Sequence, residues 1–213
     1  MNGDFPERLR ARLQSNLPGR AAQRLFEPDL SYGRHFGPPT AHSRAAAVLV
    51  LLYPAQHGWH LPLTVRPATM ATHAGQISLP GGMIEPGETP DQAALRELAE
   101  ELGVTAGEVD VLGQLSPLYL FASDFMVNPW VAAAARRPAW VINPTEVAEL
   151  LEVPLVHLFD PANAGRHARR HRGIDFTAPH FLWGRHRIWG ATSMILSELR
   201  ELGKEEGGRR KEE

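Results

Sequence analysis

The chain of 213 residues contains no cysteine, which excludes disulfide cross-links and thiolate chemistry, whether nucleophilic or metal-binding. It has little net charge: 22 basic residues against 24 acidic ones leave −2, so no global field draws it to nucleic acid or to an acidic membrane. Long hydrophobic runs are missing too. The longest, "AAAVLVLLYPA" at 45–55, falls well short of the roughly 20 residues that span a bilayer. The opening "MNGDFPERLRARLQ" has no apolar stretch of the kind a secretory signal needs. Together these absences lead to the expectation of a cytoplasmic protein with no membrane and no nucleic-acid partner.

What is present suggests a mixed α/β (α+β) domain. "AAAVLVLLY" has the length and continuous apolarity of a strand buried on both faces. "WHLPLTVRP" reads as its partner across a turn at "PAQHG". Further strands are expected in "VDVLGQLSPLYL", "DFMVNPWVAAA" and "EVAELLEVPL", with a short helix or turn around 144–151. "APHFLWGRHRIWG" reads as strand–turn–strand, and "ATSMILSELREL" as a closing amphipathic helix. Residues 1–44 read as a partly helical N-terminal extension, with "PERLRARLQ" a short surface helix. Residues 45–203 form the main domain, and 204–213 a disordered, charged tail.

The stretch "LPGGMIEPGETPDQAALRELAEELGV" at 79–104 carries the chemistry. Thr89 suits an N-cap, Pro90 the first helical position, Gln92 the third position of a capping box, and Gly103 a left-handed C-terminal cap. Leu95, Leu98 and Leu102 mark the expected buried stripe. Glu97, Glu100 and Glu101 then fall on an arc of roughly 100°. They repel one another there, at the helix end where the backbone dipole also disfavours anions. Either they form a solvated acidic face, or a hard divalent cation such as Mg²⁺ relieves the repulsion, with Gly81 and Gly82 leaving room for a phosphate. The glycine spacing of "GMIEPGET" also fits a phosphate-binding loop, but Glu88 occupies the lysine position and would repel the phosphates.

Gly82, Glu88, Arg96, Glu97, Leu98, Glu100, Glu101, Gly103 and Val104 resemble the Nudix box at every specified position. The resemblance implies a Nudix fold, a mixed β-sheet between helices with a loop–helix–loop motif, and hydrolysis of diphosphates linked to another moiety. It further implies Mg²⁺ or Mn²⁺ bound by Glu97, Glu100 and Glu101, with the Gly82 carbonyl facing the ion and Glu88 pairing with Arg96 to brace the loop.

The preceding "LTVRPATMATHAGQISLPGG" is similar to the added signature of coenzyme A diphosphatases, through Leu63, Thr64, Arg66, Gly75, Pro80, Gly81 and Gly82. It departs from that pattern at Pro67 (usually Ser or Ala), Ala71 (usually Arg) and Leu79 (usually Phe). Segments 115–132, 143–155 and 187–196 resemble the same group. The resemblance covers roughly 45–200 and implies a small-molecule substrate, coenzyme A or an acyl derivative, cleaved to 3′,5′-ADP and 4′-phosphopantetheine.

The missing arginine keeps open a diphosphatase acting on ADP-ribose, a nucleotide sugar or a dinucleotide. A non-catalytic nucleotide-binding protein of the same fold is a third reading. Glu146 is the candidate carboxylate from outside the box, as base or extra ligand, with Asp124 as the alternative. In "RHARRHR" at 166–172, Arg166, Arg169, Arg170 and Arg172 are candidates for the substrate's 3′-phosphate, Arg169 and Arg170 foremost, against a plain solvated loop. His35, His42, His57 and His60 have no metal-ligand spacing. The N-terminal segment can pack on its own domain or on a second copy in a homodimer.

Overall fold

The structure is a computed structural model that describes residues 4–29, 38–69, 75–171 and 173–204. The charged tail beyond Lys204, together with His35, Ala71 and Arg172, lies outside them.

β1 (Arg44–Ala55) is the spine of the molecule, because its side chains are apolar on both faces. Ala47, Leu49, Leu51 and Tyr53 are fully buried toward one core, where they meet Ala93, Ala94, Leu98 and Leu102 of α3 (Pro90–Leu102). Val50 and Leu52 enter a second core on the other face, built with α1 (Phe5–Leu13) and α4 (Ala191–Lys204). The alternation is the ordinary period of two of a strand. Helices therefore cover the sheet on both sides, as expected.

The sheet is mixed. β1 runs parallel to β7 (Phe125–Ala134), from Arg44 opposite Phe125 to Leu52 opposite Ala133. It is antiparallel to β2 (Gly58–Val65) at one end and to β4 (Gly81–Met83) at the other. β3 (Ile77–Ser78) and β8 (Glu149–Pro154) flank β2, while β5 (Val109–Gln114) and β6 (Leu118–Leu120) pair with β7. A separate three-stranded sheet consists of β9 (Ala164–His171), β10 (Ile174–Trp183) and β11 (His186–Trp189), with β10 in the middle. No helix among the described residues is long and apolar enough to cross a membrane.

Two sequence expectations need correcting, and one open alternative is decided. α1 is not a surface helix: Phe5, Leu9 and Leu13 are buried in the main core, and Arg10 donates to Val111 O (2.8 Å) and Asp110 Oδ2 (2.5 Å). Of the helix or turn expected around 144–151, the structure has the turn, at 144–146, with β8 beginning at Glu149. "RHARRH" is a strand rather than a loop, because β10 supplies it with a continuous antiparallel partner.

Behind the sheet, Glu198 of α4 is fully buried. It accepts from Gly19 N–H (3.1 Å), Ser116 N–H (3.2 Å) and Gln23 Nε2 (2.9 Å). Ser197 Oγ donates to Ala22 O at 2.8 Å. These bonds fasten the short helix α2 (Gly19–Gln23) to α4.

Candidate active site

α3 starts and stops where its capping residues place it: Gln92 Oε1 accepts from Thr89 N–H at 3.0 Å, and Gly103 closes the helix at φ +72°. Its buried face comprises Ala93, Ala94, Leu98, Glu101 and Leu102, whereas Leu95 is only partly covered. Glu101, 4% exposed, thus stands among core residues.

The loop before α3 is fitted to this carboxylate-bearing helix. Gly81 N–H donates to Glu101 Oε1 at 3.2 Å. A Cβ on Gly81 would lie 2.7 Å from Val48 Cα, so glycine is what lets β4 pair with β1. A Cβ on Gly82 would lie 2.5 Å from Glu97 Cδ; the missing side chain is the space that the Glu97 carboxylate occupies.

Arg96 braces the assembly. It grips Glu88 through Nε to Oε1 (2.9 Å) and Nη2 to Oε2 (3.2 Å), and also donates to Met83 O (3.0 Å). Its Nη1 bonds Glu97 Oε1 (2.8 Å) and Glu100 Oε2 (2.9 Å). Such bidentate, charge-assisted contacts fix geometry as well as adding energy. The bond from Arg96, helped by Glu85 N–H, holds Glu88 below the usual carboxylate range, and the same partner raises Arg96 further.

Glu97, Glu101 and Glu146 each bring a carboxylate oxygen within 4.8 Å of the other two. Among the described residues this is the one group of three or more acidic or histidine side chains drawn so close. Glu100, side chain half exposed, instead bonds Arg96. Burial raises the Glu97 carboxyl against the pull of Arg96. Burial also pushes Glu101 up to about 7, opposed by the Gly81 N–H and reinforced by the charge of Glu97. Arg66 acts favourably on Glu101 across this space, and its Nε is buried without a hydrogen-bond partner.

Glu146 reaches the cluster from the turn before β8. Asn143 O accepts from Glu146 N–H (3.1 Å) and Val147 N–H (2.9 Å), while Asn143 N–H donates to Glu101 O (3.0 Å). Asn143 Nδ2 then donates to Glu146 Oε1 at 3.1 Å. Asn143 escaped the sequence reading. Its signal was "NPTE", an Asn with Thr two residues on, which forms the side-chain-capped turn seen in the bond from Thr145 Oγ1 to Asn143 Oδ1 (2.7 Å).

Asp124 lies elsewhere. It accepts from Ser43 Oγ (2.6 Å) and Tyr119 O–H (2.9 Å), and Ser43 is the main cause of its lowered pKa. Arg169 and Arg170 point to opposite faces of β9. Arg169 stacks over Trp189 at 4.3 Å, whereas Arg170 faces Asp175 at 3.6 Å.

The NUDIX domain family model matches residues 43–175. The mitochondrial coenzyme A diphosphatase NUDT8 of Homo sapiens is 35% identical over 185 residues, spanning 83% of this chain and 78% of its own. An uncharacterized Nudix hydrolase, NudL, of Photorhabdus laumondii is 36% identical over 146 residues (65% of this chain, 74% of its own). A solved Nudix hydrolase from M. smegmatis, RenU, shares the fold with a TM-score of 0.55 at 22% identity, covering 76% of this chain and 87% of that one. A family match over more than half the chain, carried by a loop and helix whose carboxylates converge in this way, makes this protein a member of the Nudix hydrolase family.

Proposed function

We propose that this Nudix hydrolase cleaves the diphosphate of coenzyme A or its acyl derivatives with Mg²⁺ or Mn²⁺, giving 3′,5′-ADP and (acyl-)4′-phosphopantetheine. The observation that carries the metal requirement is the convergence of the buried Glu101 with the partly buried Glu97 and Glu146. Three carboxylates so placed and with so little water repel one another, and a hard cation with oxygen preference matches that donor set. Glu97 and Glu101 would hold it, with Glu100 and the Gly82 carbonyl as further donors, and Glu146 stands beside them as the base. Such an ion supplies neutralising charge to the diphosphate and acidifies water.

The protein's own residues set the geometry. Arg96 and Glu88 hold the loop against the helix, so the donors stay in register through turnover. Asn143 leaves one Glu146 oxygen unengaged by its amide, and Glu146 takes the proton of the attacking water. Arg66 meets the substrate's phosphates through its unpartnered Nε. Water adds to one phosphorus, the bridging oxygen leaves with a proton, and two monoesters result.

The substrate reading rests on the match of Leu63, Thr64, Arg66, Gly75, Pro80, Gly81 and Gly82 to the diphosphatase signature, and on the likeness to NUDT8. Ala71, where that signature has arginine, favours the second reading of ADP-ribose, a nucleotide sugar or a dinucleotide. The test is a panel of coenzyme A, acetyl-coenzyme A, ADP-ribose, NADH and dinucleoside polyphosphates with Mg²⁺ or Mn²⁺, run beside Glu101→Gln. The expected result is the highest kcat/KM on the coenzyme A compounds, with a loss of several orders of magnitude in the variant. A preference for ADP-ribose would install the second reading, and no turnover at all would favour a binding protein.

A further inference from the structure

The three-stranded sheet carries a cluster of opposite sign to the acidic one. Residues directly opposite each other on antiparallel strands share a face. The pairs Phe176–Arg169, Ala178–His167, His180–Trp189 and Leu182–Arg187 therefore place Arg169, His167, Trp189 and Arg187 on one side of the sheet. Together with Arg185 from the β10–β11 turn and His186 at the start of β11, they line a cleft of about 240 Å³ whose other walls among the described residues are Gly75 and Ile77. Among the described residues no carboxylate lines it. Glu149 stands at its edge, bonded to Arg185 (3.0 Å) and near His186 (3.4 Å). Among the described residues neither Arg169 nor Arg187 has an acidic partner; Arg169 rests on the Trp189 ring.

In a chain of net charge −2, such local crowding of cations is as unfavourable as the crowding of glutamates on α3. Its effect is visible at His167, held in the neutral form first by burial and then by His180, Arg169 and Arg187. An anion in the cleft would relieve it. The volume lies below the roughly 300–1,000 Å³ of a pocket that encloses a whole ligand, so the cleft suits one end of a larger molecule.

The position says which molecule. Gly75, on the cleft wall, donates its N–H to Arg66 O (3.1 Å), and Arg66 N–H donates to Gln76 O (3.0 Å). The side chain of the same Arg66 acts on Glu101. A single residue therefore joins the rim of the basic cleft to the acidic cluster, so a ligand whose diphosphate sits at the glutamates has one of its halves beside the cleft, and in coenzyme A the half that carries a further anionic group is the nucleoside.

We infer that the Arg169–Arg187 cleft binds a phosphate monoester on the nucleoside half of the substrate, the 3′-phosphate of a 3′-phosphoadenosine diphosphate. The inference deepens the coenzyme A reading and rests on it for the identity of the diphosphate. It also replaces the pairing of Arg169 with Arg170, because Arg170 lies on the opposite face beside Asp175. Arg187 takes its place, seventeen positions further along the chain.

The test has two arms. Calorimetry on the metal-free protein compares 3′,5′-ADP with 5′-AMP. Two charge-assisted contacts from guanidinium groups predict about tenfold tighter binding of 3′,5′-ADP, and Arg187→Gln and Arg169→Gln should each remove most of that preference. Kinetics then compares coenzyme A with its 3′-dephospho form. The ratio of their kcat/KM values should fall by a similar factor in the variants, through KM rather than kcat. Equal binding of the two nucleotides by the wild type, or a preference that survives both substitutions, overturns the inference. Preferred binding of 3′,5′-ADP by a protein that hydrolyses only ADP-ribose would sink the coenzyme A reading and leave the cleft standing. Hydrolysis of coenzyme A with no discrimination against the dephospho form would do the reverse.

Discussion

Replacing Glu101 by Gln should make the metal-free protein more stable while destroying its activity. Glu101 is 4% exposed, and burial pushes it up to about 7 against 4.5 for an ordinary glutamate. A carboxyl more easily protonated when folded contributes fully to stability below its unfolded pKa and loses that contribution as pH rises through its folded one. At about 1.4 kcal/mol per pH unit the difference comes to about 3 kcal/mol by about pH 8. At about pH 5 less than about 1 kcal/mol of it is expressed. The amide of Gln is isosteric, and its oxygen still accepts from Gly81 N–H.

Urea unfolding in chelator should therefore show the variant more stable than the wild type by up to about 3 kcal/mol near pH 8, converging toward pH 5. Adding Mg²⁺ to a hundred times its Kd should raise the wild type by about 2.7 kcal/mol and the variant much less. A variant that is no more stable than the wild type in chelator near pH 8 would refute the claim that Glu101 is held ionised at a cost that the cation offsets.

Four other outcomes are expected. Gly82→Ala drives a methyl against Glu97 Cδ, and displacement of that carboxylate by about 1 Å should lower kcat about a hundredfold with little change in Tm. Arg96→Gln leaves Glu88, Glu97 and Glu100 short of donors and should cost about 1–3 kcal/mol in urea unfolding, alongside a loss of activity. Asn143→Ala frees Glu146 and should reduce kcat/KM about ten- to a hundredfold, while circular dichroism stays unchanged. Glu198→Ala takes the acceptor from Gly19 N–H and Ser116 N–H and one of the two acceptors of Gln23 Nε2, and should cost about 3 kcal/mol without altering the metal response of the folded fraction.

Where local chemistry decides structure, the sequence was readable. Thr89, Pro90, Gln92 and Gly103 delimit α3 as their capping preferences dictate, and the unbroken apolarity of β1 announced burial on both faces. Arg96 and Glu88 meet as the family resemblance implied. What stayed hidden depends on distant partners. Leu98 and Leu102 are buried as the leucine stripe foretold, but Leu95 is only partly covered and α3 also turns Ala93, Ala94 and Glu101 inward. A carboxylate on a core face is invisible to any rule that sorts residues by polarity. Glu146 enters only because the Asn143 turn is tied to the end of α3. "RHARRH" has no apolar alternation, so its strand could be recognised only once β10 was seen to pair with it. Phe5, Leu9 and Leu13 did offer a helical i, i+4, i+8 stripe, obscured by the arginines between them.

The bonding of the first helices to the last one has a bearing on how the molecule is made. During synthesis α1 and α2 leave the ribosome well before α4, yet Leu202 O receives Arg12 and Glu198 receives Gly19 and Gln23. Those acceptors are among the final residues of the described chain to be translated. At about 5–20 residues per second, the apolar side chains of Phe5, Leu9 and Leu13 wait on the order of ten seconds or more for their seat. Throughout that interval the nascent chain presents a greasy, positively charged helix whose seat on β5 still lacks its α4 wall, a natural handhold for chaperones.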